Sequence, residues 1–223
     1  MRTLIMITLA LFLAGCSNHS KDMSFSGTLE ITEHVLGVKV PGRISTVDIK
    51  EGDMVKAGQV LATLDRYAQA KKDAERTDVL YKSGGANTQA VEYAQLSLED
   101  QEVVSPIDGV VLVKTVESGE TVAAGAGVVV VGDVKDQWVK IFVPEGAINR
   151  LTMNQAATVS FDGNSKTYQG HVSFIAIKAE FTPRNVQTAE ERVTQAFAVK
   201  VSLDQPDANL HAGVAADIKF TNL

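Results

Sequence analysis

The residues able to do chemistry are few and scattered. His19, His34, His171 and His211 show no i, i+4 pairing and have no neighbouring cysteine. A zinc or copper site needs convergent ligands, so these read as solvated or turn histidines and no metal ligand is assigned. Beyond the leader-like first residues, Met23, Met54 and Met153 lie far apart. Gly125-Ala126-Gly127 has the composition of a phosphate loop, but it leads into the apolar run Val128–Val131, a strand, so no helix N-terminus follows to receive an anion. Ser105 precedes Pro106 and lacks the Gly-x-Ser-x-Gly elbow. The acidic pairs Glu99-Asp100 and Glu190-Glu191 read as solvated faces. No catalytic constellation and no cofactor site emerges, and the chain reads as a non-enzyme. One thiol remains, Cys16, the single cysteine; one cysteine excludes an intramolecular disulfide framework and any Cys-cluster metal site.

The surroundings of Cys16 give it a purpose. Met1-Arg2-Thr3 is a short basic start, and Leu4–Leu13 is an apolar run of about ten residues, too short for a permanent membrane span. It ends in Leu13-Ala14-Gly15-Cys16, which resembles the lipobox of bacterial lipoproteins. That resemblance implies a signal peptide at 1–15, removal before Cys16, and acylation of its thiol; two or three acyl chains anchor stably where one does not. Residues 16–26 are then a flexible tether, and the protein is lipid-anchored at a membrane surface in the cell envelope. The Ser17 that follows Cys16 favours the outer membrane.

Composition narrows the function further. With 21 Lys+Arg against 27 Asp+Glu, the net charge of −6 argues against a nucleic-acid binder, which needs a basic face. Seventeen glycines and 6% aromatic residues suggest a β-rich, turn-rich body.

The element that organises this body is an internal repeat. Gly42, Gly52, Val55, Ala57 and Gly58 recur as Gly109, Gly119, Val122, Ala124 and Gly125, all at an offset of 67 residues. Around them Ile44 matches Val111, Ile49 matches Val116, and Leu61–Leu64 matches Val128–Val131. Each copy reads as strand, turn, strand, with glycines supplying positive φ in the turns and acidic residues capping them. The pattern resembles the two halves of a biotinyl/lipoyl-type domain, here at 27–65 and 103–133. The carrier hairpin with its modified lysine is absent. Residues 66–102 take its place and read as two antiparallel helices, the first seamed by Tyr67, Ala70, Ala74, Thr77 and Tyr81, the second by Val91, Ala94 and Leu98. Thr88 is the expected N-cap of the second. The longer helix reaches only about 25 Å. From 134 to 223 the chain changes style, with strands expected at 138–143, 156–161, 168–175, 196–203 and 214–220, a short helical turn at 144–151, and hairpin turns at Asp162-Gly163-Asn164 and 210–213. The expected fold class is mainly β: a split biotinyl/lipoyl-like β-barrel with a short inserted α-helical hairpin, then a small antiparallel β-barrel with the membrane-proximal C-terminus.

Three stretches carry a family resemblance: 40–44 through 51–62; Ser105-Pro106-Ile107-Asp108-Gly109-Val110-Val111; and Glu180-Phe181-Thr182-Pro183-Arg184-Asn185-Val186-Gln187-Thr188 with Glu191-Arg192-Val193. Together they resemble the HlyD-like membrane fusion proteins, the periplasmic adaptor subunits of efflux and secretion systems, and the third resembles the branch serving ABC exporters. The resemblance implies a homo-oligomeric ring linking an inner-membrane transporter, ABC-type rather than RND-type, to an outer-membrane channel of the trunk-like kind. It implies a channel-docking hairpin tip at Arg76, Leu80 and Thr88, with Thr where the family has Ser and one residue more between it and the Leu. It implies a transporter-side loop at Glu180, Phe181, Thr182, Pro183, Arg184 and Asn185. The family expectation for the anchor is the inner membrane. The alternatives are an adaptor of an RND-type drug or metal efflux pump, or, because the hairpin is short, a modulatory or cargo-binding lipoprotein.

Overall fold

The glycines of the repeat show how the sequence builds the first unit. Gly52 and Gly119, and likewise Gly58 and Gly125, all have positive φ, between 81° and 97°, the conformation that only glycine adopts without strain. The computed structural model describes residues 23–181 and 195–220. They form two units, one of 29–139 with 205–214, the other of 24–28, 140–204 and 215–220.

In the first unit the strands are the later part of β1 (Ser24–Gly37), β2 (Gly42–Val47), β3 (Met54–Val55), β4 (Val60–Leu64), β5 (Glu102–Val104), β6 (Gly109–Lys114), β7 (Thr121–Val122) and the earlier part of β8 (Gly127–Pro144). They make two four-stranded arrays, β5-β4-β2-β7 and β1-β8-β6-β3. Adding 67 to β1, β4, β2 and β3 lands on β5, β8, β6 and β7, so the two arrays are images of each other. Hydrogen bonds obey the same exchange. Gly119 N donates to Ile44 O and Gly52 N to Val111 O, both at 2.8 Å; Gly125 N reaches Val38 O and Gly58 N reaches Ser105 O, again both at 2.8 Å. Each half therefore closes the turns of the other. The core between them is paired too: Ile44 with Val111, Val55 with Val122, Leu61 with Val128 and Leu64 with Val131 are all buried. The acidic cap holds in one copy, where Asp53 accepts from the Lys50 N–H at 2.7 Å.

Between β4 and β5 stand α1 (Tyr67–Lys82) and α2 (Thr88–Glu99). Neither helix buries a residue. Helices of this length are marginal alone in water, so the hairpin depends on its base. There Leu64 N donates to Gln101 O and Asp65 N to Arg43 O, both at 2.9 Å, while β4 pairs with β5 from Val60 opposite Val104 to Thr63 opposite Glu102. The α2 N-cap is Asn87 rather than Thr88: its Oδ1 accepts the Ala90 N–H at 2.8 Å and its backbone is extended. Thr88 is the first helical residue. Asn87→Ala is expected to cost about 1 kcal/mol of hairpin stability, read as faster amide exchange across 88–92 with the rest of the unit unchanged.

The second unit is a closed antiparallel barrel. The early part of β1 pairs with β13 (Ala215–Phe220), which pairs in turn with β9 (Ala156–Phe161), β10 (Thr167–Ile175) and β12 (Gln195–Leu203); β8 joins β12 to β1. A two-residue β11, Glu180–Phe181, adds to β12. The turns at Gly163 and Gly213 have positive φ as their sequences require, and α3 (Glu145–Ile148) is the short helical turn. Inside, Val159, Val172, Val199, Val201 and Ile218 are fully buried, and Phe161 packs edge-on to Tyr168 at 5.4 Å between ring centres. One expectation is corrected: the chain does not change unit at a break after Asp133. β8 runs unbroken from 127 to 144 and changes unit at 139/140, because alternating burial continues through Gln137-Trp138-Val139-Lys140 without a turn residue. Gln137, a polar residue in that run, is buried and holds the 205–210 segment, donating to Asp207 O at 3.0 Å and accepting from its N–H at 2.9 Å.

Candidate functional site

Among the described residues, the hairpin leaves five large apolar side chains exposed: Val79, Leu80, Tyr81, Tyr93 and Leu96. Its seam follows the expected spacing: Tyr67, Ala70, Ala74 and Thr77 on α1 and Val91, Ala94 and Leu98 on α2 are half-buried against each other. Tyr81 continues the stripe but is 45% exposed, because it stands in the last turn of α1, beside the loop. On the opposite side of α2, Tyr93 is 76% and Leu96 57% exposed, and Val79 on α1 is 64% exposed. At 100° per residue, Tyr93 and Leu96 lie about 170° from the Val91–Leu98 stripe. Among the described residues, neither belongs to the seam or to a core.

The residues matched to the docking tip fall as follows. Arg76 is exposed and pairs with Asp73 at 3.5 Å, one turn back. Leu80 is 45% exposed, its carbonyl accepting from Gly85 N at 2.8 Å and from the Ser83 hydroxyl at 2.9 Å. Leu80 therefore sits over the loop, while Arg76 is a full turn below it and Thr88 opens α2. On the other unit, Glu180 and Phe181 form β11 against Ala196 and Gln195; Thr182, Pro183, Arg184 and Asn185 lie outside the described residues, as does Cys16.

Sequence reasoning missed a polar tie that fixes the two repeat halves. Asp108 accepts the Ala57 N–H at 3.0 Å and the Lys135 ammonium at 2.7 Å. The hydrogen bond from Lys135, that from Ala57, and the charge of Lys135 hold the Asp108 carboxyl below its ordinary 3.8 and raise Lys135 in turn. The folded-state value is the depressed one, so the stabilisation is present at neutral pH and disappears as pH falls through that lowered titration. Asp108→Asn is expected to lower the melting temperature slightly at pH 7, the pair being exposed, and to match the parent in acid below that titration. Its signal was Pro41 in one repeat against Asp108 in the other, a departure from symmetry at a turn. Among the described residues no three His, Cys, Asp or Glu gather as metal ligands, and no helix is long and apolar enough to cross a membrane.

Comparisons follow this geometry. Residues 34–132, the split β unit with its hairpin, match the family model described as RND MFP (membrane fusion protein), barrel-sandwich hybrid domain. A UPF0194 membrane protein of Enterobacter sp. strain 638 is 26% identical over 130 residues, 58% of this chain and 39% of that protein. A UPF0194 membrane protein of Acidithiobacillus ferridurans is 31% identical over 134 residues, 60% of this chain and 40% of that one. The chain thus spans about two fifths of the length of the curated relatives it matches. The crystal structure of a MacA-MexA chimeric protein, containing the Pseudomonas aeruginosa MexA α-hairpin domain, shares the fold with a TM-score of 0.65 at 22% identity, over 92% of this chain and 83% of that one. Its twofold β unit split by a helical hairpin, matched at 34–132, makes the chain similar to the membrane fusion proteins in that domain and in fold.

Proposed function

We propose that the protein is a periplasmic adaptor of an efflux or secretion system. Copies associate through their hairpins into a ring that links an inner-membrane transporter to an outer-membrane channel. The observation that supports this reading best is the hairpin: its helices fully bury no residue, yet present Val79, Tyr93 and Leu96 to solvent. Exposed aromatic and aliphatic residues of this kind mark protein interfaces. Arg76, Leu80 and Thr88 are proposed to meet the channel, and residues 180–185 the transporter.

Two transporter classes compete. The stretch 180–193 favours an ABC-type partner, and the matched domain description favours an RND-type one. Crosslinking the full-length protein in native membranes, followed by affinity capture and mass spectrometry, separates them. A permease with its ATPase supports the ABC reading, and an RND pump overturns it while keeping the adaptor. Recovery of neither overturns the adaptor in favour of a modulatory or cargo-binding lipoprotein.

Anchoring is proposed through acyl chains on Cys16. Cys16→Ser is expected to move the protein from the membrane to the soluble fraction on cell fractionation; membrane retention in high salt would count against a lipid anchor.

A further inference from the structure

One patch of the β-barrel unit has a composition opposite to that of the chain as a whole. The outer wall near the end of β10 forms an open groove of about 700 Å³ whose lining includes Lys140, Phe174, Ile177, Lys178, Glu180 and Lys200. Three lysines face one glutamate there, in a protein of net charge −6. Ile177, in the bend after β10, is 100% exposed, and Phe174 is 46% exposed. Beside them Phe142 is 38% exposed, with the Lys140 ammonium 5.5 Å from its ring centre. A β-branched apolar side chain held wholly in water contributes nothing to folding. Ringed by lysines, whose long stems lie along apolar surface while the ammonium stays wet, it has the chemistry of an interfacial anchor.

Strand register shows which end of the barrel carries the patch. Ser24 stands opposite Lys219, and Phe220 opposite Ala157, so β1 begins where β13 ends and β9 begins. β10 is antiparallel to β9, with His171 opposite Ala156, and runs on past that point to Ile175. The Ile177 bend and the start of β1 therefore share one end. Cys16 precedes Ser24 by eight residues, a length that spans at most about 28 Å fully extended. If the thiol is acylated, this end of the barrel stays that close to the bilayer.

We infer that this face, Ile177 with Phe174, Lys140 and Lys178, docks onto the surface of an anionic phospholipid bilayer, with Ile177 inserted among the acyl chains and Lys140 and Lys178 on headgroup phosphates. The occupant follows from charge complementarity and from the short chain that leads to this end of the barrel. It goes beyond the adaptor reading and does not depend on the identity of the transporter.

The test compares matched proteins, each the chain from residue 16 onward carrying Cys16→Ser, so that neither the apolar leader nor an acyl group binds. Partition is measured by flotation on vesicles of phosphatidylglycerol and phosphatidylcholine in equal parts, and on phosphatidylcholine alone. Each lysine near an anionic surface is worth about fivefold in partition, so Lys178→Glu is expected to lose at least that on the anionic vesicles and little on the neutral ones. Ile177→Asp is expected to lose about tenfold on the anionic vesicles. Lys50→Glu, the same charge reversal in a turn of the other unit, is expected to partition as the parent does. Melting curves check that all variants fold, which the exposure of both positions favours. Equal partition of Ile177→Asp, Lys178→Glu and parent overturns the proposal. Unchanged partition with loss of the crosslinked transporter also overturns it, by making the face a protein contact.

Discussion

Gly109→Ala is expected to lower stability by about 3 kcal/mol or more, whereas Gly42→Ala, its repeat partner, costs less than about 1 kcal/mol. The two glycines are equivalent in sequence and neither has positive φ, so the difference rests on space alone. A Cβ on Gly109 would lie 2.4 Å from the Gly132 carbonyl oxygen and 2.7 Å from Val131 Cγ1. β6 and β8 are paired at this point, Val110 opposite Gly132, so the backbone itself must move and the ladder opens. A Cβ on Gly42 would meet the Leu64 methyl groups at 3.4 Å, which a small rotation of Leu64 relieves, and Asp65 Oδ1 at an ordinary 3.7 Å. Gly52→Ala is intermediate: nothing lies within 4 Å of its Cβ, but φ of +89° costs an L-residue about 1–2 kcal/mol. At roughly 3–5 °C per kcal/mol for a unit of this size, Gly109→Ala shifts the melting temperature by about 10 °C or more. A thermal series on the three variants reads the order directly; equal shifts for Gly42 and Gly109 would mean the approach of β6 to β8 is wrong.

These glycines also mark the limit of what the sequence discloses. The 67-residue offset made the twofold unit legible because identical turn chemistry recurs with identical apolar positions around it, and the structure repeats its hydrogen bonds across the same offset. The hairpin seam was legible for a similar reason, since three- and four-residue spacing has few other meanings. Which glycines need positive φ and which need empty space is not a property of residue type, so Gly42 and Gly109 look alike until β8 is placed. Asn87 and Thr88 are both capping residues, adjacent, and only the backbone dihedrals choose between them. Gln137 offered no signal: a single amide in a strand reads as solvent-facing, and its burial follows from the distant 205–210 segment that it holds. On the hairpin's outer face, the exposure of Tyr93 and Leu96 could have been read from their place opposite the seam. Their purpose could not, because an unpartnered apolar face in one chain says nothing of the second surface that covers it.

That face carries the other large effect. Replacing Tyr93 and Leu96 together by Ser is expected to leave the stability within about 1 kcal/mol of the parent, because both side chains are more than half exposed and lie outside the seam. Self-association is expected to fall by about a hundredfold or more, as buried aromatic anchors at protein interfaces are each worth about 2 kcal/mol or more on truncation. The asymmetry between the two readouts is what identifies an interface: a packing residue would change both, and a solvated residue neither. Arg76→Asp separates the tip from the flank. It breaks the pair with Asp73 and reverses charge about two turns below the loop, so if the tip meets an outer-membrane channel, export fails while the oligomer and the captured transporter persist. Sedimentation of the double variant, beside export by the Arg76 variant, thus assigns ring formation to one part of the hairpin and channel docking to another. A double variant that sediments as the parent does would place self-association elsewhere, and the short hairpin would then act at its tip alone.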